Sequence, residues 1–189
     1  MLNLRHLPTF TIGDQLMTRI THLEPLIEGN EQEYYDSGIP SSVAILGHPL
    51  HPLIVTFPVA FLTTALLTDI LFLFTNSSFW ATASFWLIVG GILTGILAGL
   101  TGMLDFFKIH RVREHKAGWI HMVGNITALV LSGISLFLRW DNVIDSIAPW
   151  GIILSLVVAG LLGITGWYGG ELVYRHKIAV IGDGNPHQA

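Results

Sequence analysis

Six side chains in this sequence carry donor atoms suited to a metal centre: His48, His51, His121, His176, Asp105 and Glu171. His48 and His51 stand three residues apart in the stretch 47–58, GHPLHPLIVTFP. Imidazole nitrogen serves as an axial ligand to haem iron and as a ligand to zinc, iron or manganese, and carboxylate oxygens extend the second set. Two ligand sets follow. A cofactor set takes His51 and His121 as the leading pair, with His48, His176 and Asn125 around them. A non-haem metal set takes His48, His51, His121, Asp105 and Glu171. Asn125 lies one turn beyond His121 on the same helical face, where an amide can orient a bound group or a water. With no cysteine, thiolate ligation and disulfides are excluded, and no covalent haem-attachment motif is present.

These residues act together only if the elements that carry them end at one place. The 189 residues are 51% hydrophobic and only 12% charged, with a mean hydropathy of +0.61, which points to an integral membrane protein. Four apolar segments, at about 51–74, 80–104, 118–138 and 150–169, are each long enough to cross about 30 Å of hydrocarbon as a helix. The links between the first and second and between the third and fourth are short, so neighbouring helices pack antiparallel. The fold class expected is therefore all-α: an integral membrane antiparallel four-helix bundle with a short N-terminal amphipathic helix. Residues 1–46 form an N-terminal cytoplasmic segment, 47–176 the four-helix transmembrane domain and 177–189 a C-terminal tail.

Asp14 can cap a short helix over 15–24, which places Leu16, Met17, Ile20 and Leu23 on one face. Residues 28–42 are acidic and turn-rich and are expected to form a solvated loop. His6 and His22 are read as surface residues, and His110 and His115 as solvated members of a basic loop. Pro52 suits a first helical turn, and Pro58 predicts a kink.

Alternation brings the starts of segments one and three and the ends of segments two and four to one side, which gathers the six donors there. That side also receives Arg5, Arg19, Lys108, Arg111, Arg113, Lys116, Arg175 and Lys177, and the other side only Arg139. The positive-inside rule then puts the histidine end and both termini in the cytoplasm.

Alternating three- and four-residue steps predict the buried seams. They are His51, Val55, Pro58, Leu62, Ala65 and Asp69; then Gly91, Gly95, Ala98, Gly102 and Asp105; then His121, Asn125, Ala128, Ser132 and Ser135; and finally Ser155, Ala159, Gly163, Gly166 and Gly170. The small residues are explained first by close helix packing, and they can also leave space for a flat cofactor. Asp69, far from the other titratable groups, is expected as an interfacial cap or as part of a proton path with Ser132 and Ser135.

The motifs HPLHPLIVTFP at 48–58, TGMLDFF at 101–107, Gly118-xx-His121-xxx-Asn125 and GGELVY at 169–174 resemble the bacterial membrane proteins grouped as domain of unknown function 2231. The resemblance covers 44–181. It implies a four-helix membrane domain and no assigned reaction. Fusion of some members to small electron-transfer modules implies a redox role.

Three functions fit these residues. The leading one is a b-type haem protein of membrane electron transfer, with Arg111, Arg113 or Arg175 pairing the propionates. The second is a non-haem divalent-metal site. The third is a cofactor-free structural or assembly subunit of a membrane complex. Expected partners are the lipid bilayer, a membrane redox or assembly partner and further copies of the chain; net charge −4 gives no field for nucleic acid. Nucleophile elbows, phosphate-binding loops and dinucleotide fingerprints are absent.

Overall fold

The computed structural model describes residues 37–180. Four helices in it are long and apolar enough to cross a membrane: Leu50–Thr75, Ser78–Lys108, Lys116–Leu138 and Ile147–Tyr174, here called spans one to four. Each span exposes large apolar side chains, such as Phe57, Leu93, Val130 and Leu156. In a bilayer these face lipid at no cost, because acyl chains are as apolar as leucine. The chain is an all-α, multi-pass membrane bundle. Spans one and two, and spans three and four, form helical hairpins. Span one also packs on span four, and span two on span three, so spans one and three face each other diagonally across the bundle axis.

Span one is interrupted at Val55. Pro58 has no N–H to return to the Ile54 carbonyl, so the ladder lapses where the sequence predicts a kink. Span four also begins with a break, at Ala148, ahead of Pro149.

The seams of spans one to three bury the expected residues: Pro58, Leu62, Ala65 and Asp69; Gly91, Gly95, Ala98 and Asp105; Ala128, Ser132 and Ser135. Span four differs. It buries Ser155, Val158, Leu162, Thr165 and Leu172, whereas Gly163 and Gly166 are exposed. The apolar residues of this helix favour no face; the larger side chains fill the core, and Gly163 and Gly166 turn to lipid.

The expected loops are more ordered than their composition suggested. Span two runs to Lys108, and a short helix, His110–Glu114, bridges to span three. Ile39, expected in a solvated loop, is fully buried against Phe106, Ile109, Leu172 and Ile178 and pairs with Ile178 in a parallel bridge. Asp105 fastens this segment: it accepts hydrogen bonds from Ser41 Oγ at 2.6 Å and from the Ser42 amide and hydroxyl at 2.7 Å each. The helix expected at 15–24, with His6 and His22, lies outside the described residues.

Candidate functional site

His51 and His121 meet at the bundle axis. Their ring centroids are 5.9 Å apart and their planes cross at 84°. His51 comes from the first turns of span one and His121 from the second turn of span three, so the diagonal helices each send one imidazole inward.

Each ring is held from behind by the other helix of its own hairpin. His51 Nδ1 lies 2.8 Å from the Ala98 carbonyl of span two, and His121 Nδ1 lies 2.8 Å from the Thr165 carbonyl of span four. A carbonyl oxygen only accepts, so both Nδ1 atoms carry a proton, and in the neutral form of each ring the lone pair is on Nε2. Neither Nε2 has a hydrogen-bond partner among the described residues. A backbone carbonyl fixing the tautomer of an imidazole from its outer side is the usual arrangement around a metal-ligating histidine.

The glycine one turn beyond each carbonyl makes room for the ring. A Cβ on Gly102 would sit 2.7 Å from His51 Nδ1, and one on Gly169 would sit 2.8 Å from His121 Cε1. The two hairpins thus repeat one device: histidine, partner carbonyl, and glycine four residues later (Ala98 to Gly102, Thr165 to Gly169). Asn125, expected to orient a bound group, works through the protein. Its Nδ2 donates to the His121 carbonyl at 2.6 Å, and its Oδ1 accepts from Thr165 Oγ1 at 3.1 Å. It therefore braces the residue whose carbonyl holds His121.

The repeat extends to the far end of the bundle. Eighteen residues beyond the histidines (51 to 69, 121 to 139) stand Asp69 and Arg139, about 27 Å away along the helices. Arg139 Nη1 reaches Asp69 Oδ1, and Nη2 reaches Oδ2, both at 2.7 Å. The remaining three N–H groups donate to Ser84, Ser135 and Ser155, and Ser155 in turn donates to Asp69 at 2.6 Å. All five guanidinium donors are answered and both charged side chains are fully buried. This overturns the reading of Asp69 as an interfacial cap or proton-path residue. Ser132, the other proposed path residue, donates to the Ala128 carbonyl instead.

The remaining candidate donors do not join the imidazole pair. His48 is exposed, with its Nδ1 3.0 Å from the Leu46 carbonyl. Asp105 is spent on Ser41 and Ser42. His176 is buried and stacks on His115 with centroids 3.7 Å apart, and its Nε2 lies 3.9 Å from Glu171. His115, expected in solvent, is thus packed; His110 is exposed and pairs with Glu114 at 2.9 Å. Among the described residues no group of three or more His, Asp or Glu side chains is placed to hold a metal ion, so the five-donor set is not assembled. Sequence reading missed Thr165 and Gly169 as partners of His121. The matching spacing from Ala98 to Gly102 and from Thr165 to Gly169 was the available signal.

A family model described as "Predicted membrane protein (DUF2231)" matches residues 47–182. Neither the curated proteins nor the solved structures give a match.

Proposed function

Because the chain belongs to the predicted membrane proteins of family DUF2231, whose description assigns no reaction, we propose a function from the imidazole pair: it holds a non-covalent b-type haem and passes single electrons in the membrane. The observation that carries the proposal is the pair of carbonyl-bound Nδ1 atoms, which leaves two lone-pair Nε2 atoms on rings 5.9 Å apart. Two metal–nitrogen bonds of about 2.0 Å plus two imidazole half-widths span about 6 Å, so the centroid spacing would suit one metal once both Nε2 atoms turn toward each other.

The number of donors favours haem over a bare divalent ion. A zinc or manganese site draws three or more ligands from protein, and the described residues supply two. A haem asks the protein for axial ligands alone. His51 and His121 would be those ligands, and Gly102 and Gly169 give their rings space. The bound group would supply the one-electron couple. The chain would fix the ring orientation through Ala98 and Thr165 and keep water from the centre. A cofactor-free assembly role gives no reason for two tautomer-fixed imidazoles at one point.

The same proposal puts the histidine end in the cytoplasm. Among the described residues, Lys108, Arg111, Arg113, Lys116, Arg175 and Lys177 lie at that end, and the far end has only Arg139, whose charge is buried. The test is the absorbance of haem-reconstituted variants. His51→Ala and His121→Ala each remove the six-coordinate spectrum, while His48→Ala leaves it unchanged. A spectrum that survives both substitutions rules out this pair as the ligands.

A further inference from the structure

The two guanidinium groups near opposite ends of the bundle are in contrasting states. Every donor of Arg139 is answered. Arg175, at the end of span four, has Nε and Nη2 buried from solvent, and neither has a hydrogen-bond partner among the described residues. Buried polar atoms are nearly always paired, and a buried cation without an acceptor is strongly unfavourable. The backbone carbonyls nearby are engaged elsewhere, and the Glu171 carboxylate makes no hydrogen bond to Arg175 Nε or Nη2. The Glu171 carboxylate lies by His176 Nε2 at 3.9 Å. The Glu171 carbonyl takes the amides of Arg175 and His176, and the Leu172 carbonyl takes that of Ile178. Arg111, a rival cation at the same end, already donates to the Ser37 carbonyl at 3.2 Å.

We infer that Arg175 binds an oxyanion, a carboxylate or phosphate, brought by a ligand at the histidine end. A guanidinium matches the two oxygens of such a group with parallel N–H bonds. The placement relates this site to the imidazoles: Gly169 packs on His121, and Arg175 follows six residues later, about 9 Å along the helix. One source of the oxyanion is the propionate of the proposed haem, and to that extent the inference rests on the haem reading. The other is the phosphate of an anionic lipid headgroup at the membrane surface, which does not.

The experiment uses the full chain in lipid nanodiscs, comparing wild type, Arg175→Gln and the charge-preserving Arg175→Lys. One arm titrates haemin and haemin dimethyl ester, which lacks free carboxylates. The other measures the Tm of cofactor-free protein in neutral discs and in discs containing phosphatidylglycerol. With a propionate ligand, wild type prefers haemin over the ester by roughly tenfold or more, Arg175→Gln loses the preference and Arg175→Lys keeps part of it. With a headgroup ligand, phosphatidylglycerol raises the wild-type Tm, and this rise disappears in Arg175→Gln and shrinks in Arg175→Lys. If wild type binds neither porphyrin, the haem reading fails while the lipid arm still tests Arg175. A wild type without preference in either arm, or substitutions that leave both preferences intact, overturns the inference.

Discussion

Arg139 grips Asp69 through both terminal nitrogens at 2.7 Å, and the pair joins all four spans through Ser84, Ser135 and Ser155. At the other end His51 and His121 likewise join all four, through the Ala98 and Thr165 carbonyls. The difference lies in saturation. The ion pair has no guanidinium donor left over, whereas neither imidazole Nε2 has a hydrogen-bond partner among the described residues. One end of the bundle is closed chemically and the other is open to a ligand.

Removing one member of the ion pair strands the other charge in a dry interior. Asp69→Leu or Arg139→Leu alone is expected to cost about 3–5 kcal/mol, and the double substitution to recover most of that loss. Thermal unfolding in detergent of the two singles and the double, read as a cycle, checks this. Additive losses in the double would show that the two charges do not depend on each other.

Glycines divide by what their missing Cβ would meet. Gly102→Ala and Gly169→Ala drive a methyl to within 3 Å of a pinned imidazole and are expected to lose about 1–3 kcal/mol, with weakened haem binding. Gly163→Ala and Gly166→Ala meet nothing within 4 Å and gain roughly 0.5–1 kcal/mol from helix propensity. Unfolding and haem titration of the four variants should separate into these two groups.

Asn125 and Thr165 test how the imidazole is aimed. Asn125→Ala removes the shorter of two acceptors for Thr165 Oγ1, leaving the Leu162 carbonyl at 3.4 Å, and is expected to cost about 1 kcal/mol. It should alter the reduction potential of bound haem while leaving both axial ligands in place. Potentiometric titration against wild type gives the readout; an unchanged potential would make Asn125 a packing residue only.

Two protein donors do not retain a bare divalent ion tightly. Protein washed with chelator should hold well under one equivalent of zinc or manganese, a stoichiometry measured by elemental analysis. Retention of a full equivalent would favour the non-haem alternative.

The membrane spans were legible because 20-residue apolar runs allow little else, and the seams of spans one to three were legible because their small and polar residues fall on one stripe. Span four was not. Gly163 and Gly166 resemble a packing seam, yet an all-apolar helix can bury either face, and the structure chose Val158, Leu162 and Thr165. The meeting of His51 with His121 followed from their similar depth at the starts of two spans that run in the same direction. The partner of Asp69 did not, because Arg139 falls at a segment end and counted there only toward the orientation of the bundle. Its signal was the shared eighteen-residue offset from the histidines. The Ala98 and Thr165 carbonyls have no side-chain signature of their own; their one signal was the matching four-residue spacing to Gly102 and Gly169. Ile39 was lost in an acidic, turn-rich composition that hides a single buried anchor.

The most direct measurement is the optical spectrum of detergent-purified wild type from cells supplied with haem precursor, oxidised and then reduced with dithionite. Axial ligation by His51 and His121 predicts a Soret band that shifts on reduction, with sharp visible bands of six-coordinate low-spin iron. A visible spectrum without features in both states, from protein that is folded and unable to take up added haemin, contradicts it.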